Sequence, residues 1–384
     1  MQIAPNHRFR SLDALRGLAA LVVVVHHVML SLPDGIRGQL GFIEVASGMG
    51  GRFAVMLFFV LSGFVLALPY FAGTSLPYGR YIVRRFCRLY LPFAFAVLIA
   101  ALLCWLLGGP VLPIASSWLN GPWSRPLTAG VVMSHLLMEG IGQPQSIDLD
   151  GPIWSLIIEM RVSLIFPLLV LYIRRFGLAG VAVALVVAFV CAKSQAALGD
   201  NSPFVGESLA GTLLLTGRYI VMFLLGVMLA ARLDRIRETF LRGSPKLHAM
   251  IFSVMVCVVC VWMVLAYTKA VQAHLGYVDV FWGVFTLYLI VACVAFPKVA
   301  AMLSGRVCLW LGDISYSLYL IHLPVLMSML YLLYGHVSLI WIIALSFPAM
   351  LIAGHFMHYL IERPSMKLGR KLTRRGSDGR TYPL

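Results

Sequence analysis

Residues 12–27 read LDALRGLAALVVVVHH, an apolar run interrupted by Asp13, Arg16, His26 and His27. With its continuation to residue 32 it has the roughly 20 residues a helix needs to cross about 30 Å of hydrocarbon. On an α-helix the step from Arg16 to His27 is close to three turns, so the two side chains share a face, separated along the axis by roughly 16 Å. His26 points about 100° away. Ionisable groups kept in such a segment are costly and mark a site by default. The alternatives are a headgroup anchor for Arg16 and a satisfied interhelical hydrogen bond for His27. Asp13, one turn before Arg16, is a helix cap or its ion partner.

The rest of the chain repeats the pattern. Of 384 residues 61% are hydrophobic and 12% charged, with a mean hydropathy of +0.91. That is too apolar for a soluble core and predicts an all-α polytopic membrane protein. Ten segments approach spanning length, near 12–32, 53–70, 89–108, 153–173, 177–193, 212–231, 248–268, 278–297, 309–333 and 337–358. The formal charge of +15 falls in clusters between these segments, which orients a chain in a bilayer and does not suggest nucleic acid. Arg8, Arg10 and Arg16, then Arg80, Arg84, Arg85 and Arg88, then Arg174 and Arg175, then RLDRIRETFLRGSPK, then Lys298 and Arg306, and finally the residues from Arg363 onward fall on one side. Only Arg37, Arg52, Arg125, Lys193, Arg218 and Lys269 are scattered on the other. Ten spans with both termini cytoplasmic follow from this asymmetry.

No small-residue cleavage site follows the first span, which is expected to be a permanent helix. The expected organisation is a membrane domain over residues 1–363 and a short basic cytoplasmic tail over 364–384. The interval 109–152 contains TAGVVMSHLLMEG, too short to cross and expected as a re-entrant or interfacial helix on the outer side. The seven cysteines, Cys191, Cys257 and Cys260 among them, lack metal-ligand spacing and are expected to pack as small buried residues; no metal is expected. No internal repeat argues for an inverted-repeat transporter.

Four further stretches carry polar groups. In FFVLSGF, residues 58–64, Ser62 and Gly63 permit close approach of a helix or ligand. In RRFCRLYLP, residues 84–92, Arg84 and Arg88 share a face and join Arg85 in a cluster that suits lipid headgroups or a phosphate-rich cofactor. In GPIWSLIIEMRVSLIFP, residues 151–167, Ser155 and Glu159 share a face behind Trp154, and Glu159 either orients a histidine, accepts a proton, binds a sugar hydroxyl or forms a structural ion pair. In LGDISYSLYLIHLP, residues 311–324, Ser315, Tyr319 and His322 form one stripe, and His355 and His358 follow before IERPS. These histidines suit a polar interior or helix packing.

Taken in order, LDALRGLAALVVVVHH, FFVLSGF, RRFCRLYLP, IWSLIIEMRVSLIFP, ISYSLYLIH and IERPS resemble the acyltransferase-3 family of integral membrane O-acyltransferases over nearly the whole chain. The resemblance implies transfer of an acyl group, usually acetyl, from cytoplasmic acyl-CoA to a hydroxyl of a lipid-linked sugar, polysaccharide such as lipopolysaccharide, glycolipid or antibiotic, at a bacterial inner membrane. It implies that Arg16 and His27 are the required arginine and histidine of the first span, that Arg84, Arg85 and Arg88 are the basic motif, and that Glu159 is the glutamate after the Trp-Ser pair. Where many members have two aromatic residues after that glutamate, this chain has Val162 and Ser163. The implied roles are His27 and Glu159 as catalytic residues, Arg16, Arg84, Arg85 and Arg88 as donor-binding residues, and Ser62, Trp154, Ser155, Tyr319 and His322 as acceptor or cavity residues. Some members carry an additional soluble esterase-like domain; with only a short basic tail here, the membrane domain is expected to complete the transfer itself. Acyl-CoA, the acceptor and membrane lipids are the expected partners, with the oligomeric state open. Acylation of a small molecule or lipid headgroup, or a transporter or flippase of envelope precursors, are the rival readings.

Overall fold

A computed structural model describes residues 9–121, 123–140, 149–200, 206, 208–268 and 275–374. Among them the chain is helical, without a sheet. α1 (Arg10–Ser31) leads through the short α2 (Asp34–Leu40) to α3 (Phe42–Phe71). α4 (Tyr78–Arg85) and α5 (Leu91–Leu107) form one span through a π-helical turn at Phe86–Tyr90. The short α6 (Ser117–Asn120) and α7 (Ala129–Leu136) precede α8 (Trp154–Ala197), α9 (Leu209–Ala231), α10 (Leu233–Arg242) and α11 (Pro245–Tyr267). α12 (Leu275–Ala295), α13 (Pro297–Leu303), α14 (Arg306–Leu333) and α15 (Leu339–Met357) follow, and a second π-helical turn at His358–Glu362 joins α15 to α16 (Arg363–Leu372).

Eight of these stretches are long and apolar enough to cross a membrane, and the segments Asp279–Ala295 and Pro297–Leu303, bent by 98°, make a ninth. The 44 residues of α8 would extend for about 66 Å if straight, more than twice the hydrocarbon thickness. The backbone leaves helical geometry at Gly177 (φ 55, ψ −131), where a residue with a Cβ is disfavoured. Tyr172 Oη donates to Gly180 O across that turn at 3.0 Å. The turn at Gly177 divides α8 into arms of residues 154–176 and 178–197; with α8 taken as one stretch, eight to nine candidate spans stand among the described residues where ten were expected.

Two expectations change, the start of the second span and the burial of two cysteines. The second span begins at Phe42, well before residue 53, because small residues from Ala46 to Gly51 continue the helix. The stretch expected as a short basic tail is helical as α16 as far as Leu372; its Gly369 rests on Cys87, and Thr373 Oγ1, just beyond it, accepts from Arg84 Nε at 2.8 Å. Cys257 and Cys260 are exposed, because α11 buries none of its residues and turns its apolar surface to lipid. The 109–152 interval holds α7 where one short helix was expected and the further short helix α6 before it, and residues 122 and 141–148 of it lie outside the described residues.

Lipid is as apolar as leucine, so close backbone packing and internal polar bonds hold such helices together. A Cβ on Gly17 would lie 2.4 Å from Gly312 N, so α1 and α14 cross backbone to backbone. At the α3–α9 crossing a Cβ on Gly63 would lie 2.2 Å from Phe223 O. Asp279 accepts from Arg52 Nε at 2.5 Å and from Arg218 at 3.2 Å, tying α12 to α3 and α9. Arg161 donates to Thr212 Oγ1 at 2.9 Å, Thr216 Oγ1 at 3.1 Å and Glu139 O at 2.7 Å, tying α8 to α9 and to the end of the α7 segment.

Candidate active site

The α1–α14 crossing sets the site. Both helices run in the same sense, and both carry a histidine ten residues beyond the crossing glycine, Gly17 to His27 and Gly312 to His322. Equal rise along parallel helices brings the imidazoles level. His27 Nδ1 lies 2.8 Å from His322 Nε2, and the rings are 5.0 Å apart. The indole of Trp118, from α6, stacks on His27 at 5.6 Å with an interplanar angle of 2°. His322 Nδ1 faces the carbonyls of Tyr319 at 2.8 Å and Leu318 at 3.2 Å. His26, off this face, meets Ser47 Oγ at 3.3 Å.

One turn from His322, Tyr319 Oη lies 2.7 Å from Ser155 Oγ and donates to Pro152 O, also at 2.7 Å. One turn along α8 from Ser155 stands Glu159, which accepts from Ser62 Oγ at 2.9 Å and from Arg85 at 3.1 Å. Arg85 also donates to Ser163 Oγ at 2.7 Å, so the serine at this departure from the family pattern supplies its second acceptor. Arg88 lies within electrostatic reach of Arg16, Arg85, Glu159 and Glu362. Its side chain is exposed, while Arg85 and Glu362 beside it are buried. Tyr316 Oη donates to Leu89 O at 2.6 Å beside this group. Glu362 accepts from Ser317 Oγ at 2.6 Å and pairs with His358 Nδ1 at 2.9 Å. Arg88 and Glu362 sit on the two π-helical turns, whose extra residue re-aims side chains that a regular helix would direct elsewhere.

The structure thus draws a polar column through the bundle. Arg16, Arg85, Arg88, Glu159 and Ser62 stand at one end or along it, and Ser155, Tyr319, His322 and His27 continue it to the other. Arg84 stands outside, facing Arg80 and Arg370 and bonded to Thr373. Trp154 joins a separate aromatic cluster with Phe59 and Tyr219. Ser315 is turned to its own helix and donates to Gly312 O. The expected orienting contact from Glu159 to His27 is absent, because Ser62 and Arg85 occupy the carboxylate and His322 holds the imidazole. Arg16 pairs with Asp13 at 3.6 Å.

Trp118, Tyr316 and Glu362 were not singled out by sequence reasoning. The repeated glycine-to-histidine spacing in α1 and α14 is the signal that would have paired His27 with His322. Outside the spans, Asp150 is buried without a hydrogen-bond partner for Oδ1, and burial pushes its carboxyl well above the usual range. His135 in α7 is buried too, which lowers its imidazole, while the Val131 carbonyl partly opposes that shift. Among the described residues no group of three or more His, Cys, Asp or Glu side chains could hold a metal ion.

An enclosed base with a cationic group three turns away suits transfer chemistry on a long anionic donor. Comparisons with known proteins agree on the reaction class. The acyltransferase-3 model, described as an acyltransferase domain, matches residues 9–357. The acyltransferase MdmB of Streptomyces mycarofaciens is 27% identical over 95% of this chain and 93% of its own length. YrhL of Bacillus subtilis, named for a proposed peptidoglycan O-acetyltransferase activity, is 26% identical over 96% of this chain, which spans 57% of that protein. Protein 2 in the picA locus of Rhizobium radiobacter is 33% identical over 43% of this chain. No solved structure matches the chain.

Proposed function

The chain belongs to the acyltransferase-3 family, and from that premise we propose that this multi-pass membrane O-acyltransferase takes an acyl group, acetyl in the simplest case, from cytoplasmic acyl-CoA. The acceptor is a hydroxyl of a cell-envelope or exported glycan or glycolipid at a bacterial inner membrane. The observation that carries this reading is the polar column with guanidinium groups at one end and an imidazole at the other. The rise from Arg16 to His27, roughly 16 Å, is close to the length of an extended pantetheine arm.

On this reading the Arg16 end faces the cytoplasm together with both chain termini, a sidedness that the distribution of basic clusters supports. There Arg88, accessible within the column, and Arg16 receive the CoA phosphates, with Arg84 at the mouth; guanidinium forks match phosphate oxygens. Arg85, expected to contact the donor, acts instead through Glu159 and Ser163, holding the wall on which Ser62 and Ser155 stand. The arm extends between the helices and brings the thioester to His27. As the acceptor oxygen forms its bond to the acyl carbon, His27 takes the hydroxyl proton, the carbon–sulfur bond breaks, and the proton passes to the departing thiolate. General-base assistance of this kind contributes roughly 10²–10⁴-fold. Ser155 and Tyr319, beside His322, line the acceptor end.

Mass spectrometry of glycans and glycolipids tests the reading in cells that express the wild type, His27→Ala at matched membrane level, or no copy. An acetyl-sized gain only with the wild type supports it and identifies the acceptor. Transfer by folded His27→Ala at the wild-type rate removes His27 from the mechanism. A purified protein that binds no acyl-CoA removes the donor.

A further inference from the structure

We propose that His322 is a positioning residue that fixes His27 in the one neutral tautomer able to act as a base through Nε2. The inference rests on His27 being the base and adds what makes it one. Nδ1 of His322 faces two backbone carbonyls, at 2.8 Å and 3.2 Å. Carbonyl oxygens only accept, so this nitrogen carries the proton. In a neutral ring Nε2 is then a bare acceptor. It lies 2.8 Å from His27 Nδ1, where two lone pairs would repel, so His27 Nδ1 carries a proton and donates it.

The protonation of His27 follows from the backbone of α14. With Nδ1 protonated, Nε2 of neutral His27 is unprotonated. Among the described residues that nitrogen has no hydrogen-bond partner, yet it is not one of the sealed polar atoms of the interior. The Trp118 indole lies nearly parallel to the His27 ring, with centroids 5.6 Å apart. The groups facing the pair are His26 on α1, Trp118 on α6 and Tyr319 on α14; no carboxylate among the described residues bonds to either ring. A neutral imidazole thus takes the place a carboxylate holds in many base-orienting pairs, which keeps a buried charge out of the resting site.

During transfer the acceptor hydroxyl proton goes to Nε2, and the resulting imidazolium keeps its Nδ1 bond to His322. Collapse of the addition intermediate expels the thiolate, which takes that proton, and the starting tautomer is restored. His322 neither gains nor loses a proton.

The test uses the whole protein in membranes, with radiolabelled acetyl-CoA as donor and label in the lipid and glycan fraction as readout. His322→Gln keeps an acceptor oxygen within reach of His27 Nδ1, and His322→Leu does not. The expected result is a kcat for His322→Leu lower by roughly 10²–10⁴-fold with an unchanged KM for acetyl-CoA. His322→Gln is expected to recover to within about tenfold of the wild type, since the hydrogen bond that orients the base is kept. Wild-type activity in His322→Leu overturns the inference, and so does equal inactivity of both variants at wild-type thermal stability. Should either variant fail to fold, nitrogen-15 NMR of histidine-labelled wild type decides the matter, with His27→Ala assigning the signals. An unprotonated Nε2 in His27 supports the inference and a protonated one overturns it. Full activity in His27→Ala sinks the base reading itself, a separate outcome that the tautomer measurement does not share.

Discussion

Arg85 and Arg88 show how neighbours in one motif divide their work. Arg85 is held by Glu159 and Ser163, whereas Arg88 is exposed within the column. Arg85→Ala leaves the Glu159 carboxylate enclosed without its cation and is expected to cost about 3–5 kcal/mol of stability, part of which Arg85→Ala/Glu159→Ala restores. Arg88→Gln is expected to leave the melting point within about 2 °C, a change below 1 kcal/mol, and to raise KM for acyl-CoA. Thermal unfolding in detergent and initial rates separate the two. Asp150 gives a pH signature. From pH 3.8 upward the unfolded chain releases this proton while the folded chain keeps it, so stability falls as pH rises, until the folded carboxyl ionises as well. His135 acts oppositely: below pH 6.5 the unfolded chain takes up a proton that the folded chain refuses, and stability falls with falling pH. Asp150→Asn should flatten the alkaline limb of a melting-point series and leave the acid limb in place. The residues of this site were legible from their cost: arginine, glutamate and histidine stand out in apolar runs. Their partners were not, because Glu159 to Arg85 and His27 to His322 are contacts between helices far apart in sequence, and intramembrane charge says only that a partner exists.

At the scale of helices, the glycine crossing decides whether the two imidazoles meet. A Cβ on Gly17 has backbone atoms of α14 within 2.8 Å, where no flexible side chain can yield. Gly17→Ala or Gly312→Ala is expected to cost about 1–3 kcal/mol by overpacking. Moving α1 away from α14 by an ångström breaks the 2.8 Å contact between His27 and His322, and a loss of roughly a hundredfold in rate is expected. Gly305→Ala, whose added carbon would meet nothing within 4 Å, is the control that should change neither quantity. Helix existence was legible here because runs of about 20 apolar residues admit few other structures in lipid. Helix continuity was less so. The start of α3 lies before the expected residue 53 because Ala46, Ser47, Gly48 and Gly50 add little hydropathy, and α16 carries too many basic residues for hydropathy to mark it. The π-helical turns leave no mark on hydropathy, yet they aim Arg88 and Glu362 at one another's surroundings.

Across the described residues, the long apolar helices sort into a core that holds the column and a periphery that is exposed. α11 and the second arm of α8 are as apolar as the core helices, so the sequence could not say which were outside; Cys257 and Cys260 were misread for that reason. The basic groups of the column are confined to the Arg16 end, and the His27 end offers imidazole, hydroxyl and indole. An energised membrane acts only on charge that moves through it, by about 2.3 kcal/mol per elementary charge at 100 mV. On the proposed reading the CoA phosphates remain beside Arg16 and Arg88, and what advances toward His27 is an uncharged arm and its acyl end. Turnover is therefore electrically silent. Collapsing the potential of sealed vesicles with an ionophore should leave the rate of transfer within about twofold, whereas carriage of the whole anionic donor would change it by an order of magnitude or more.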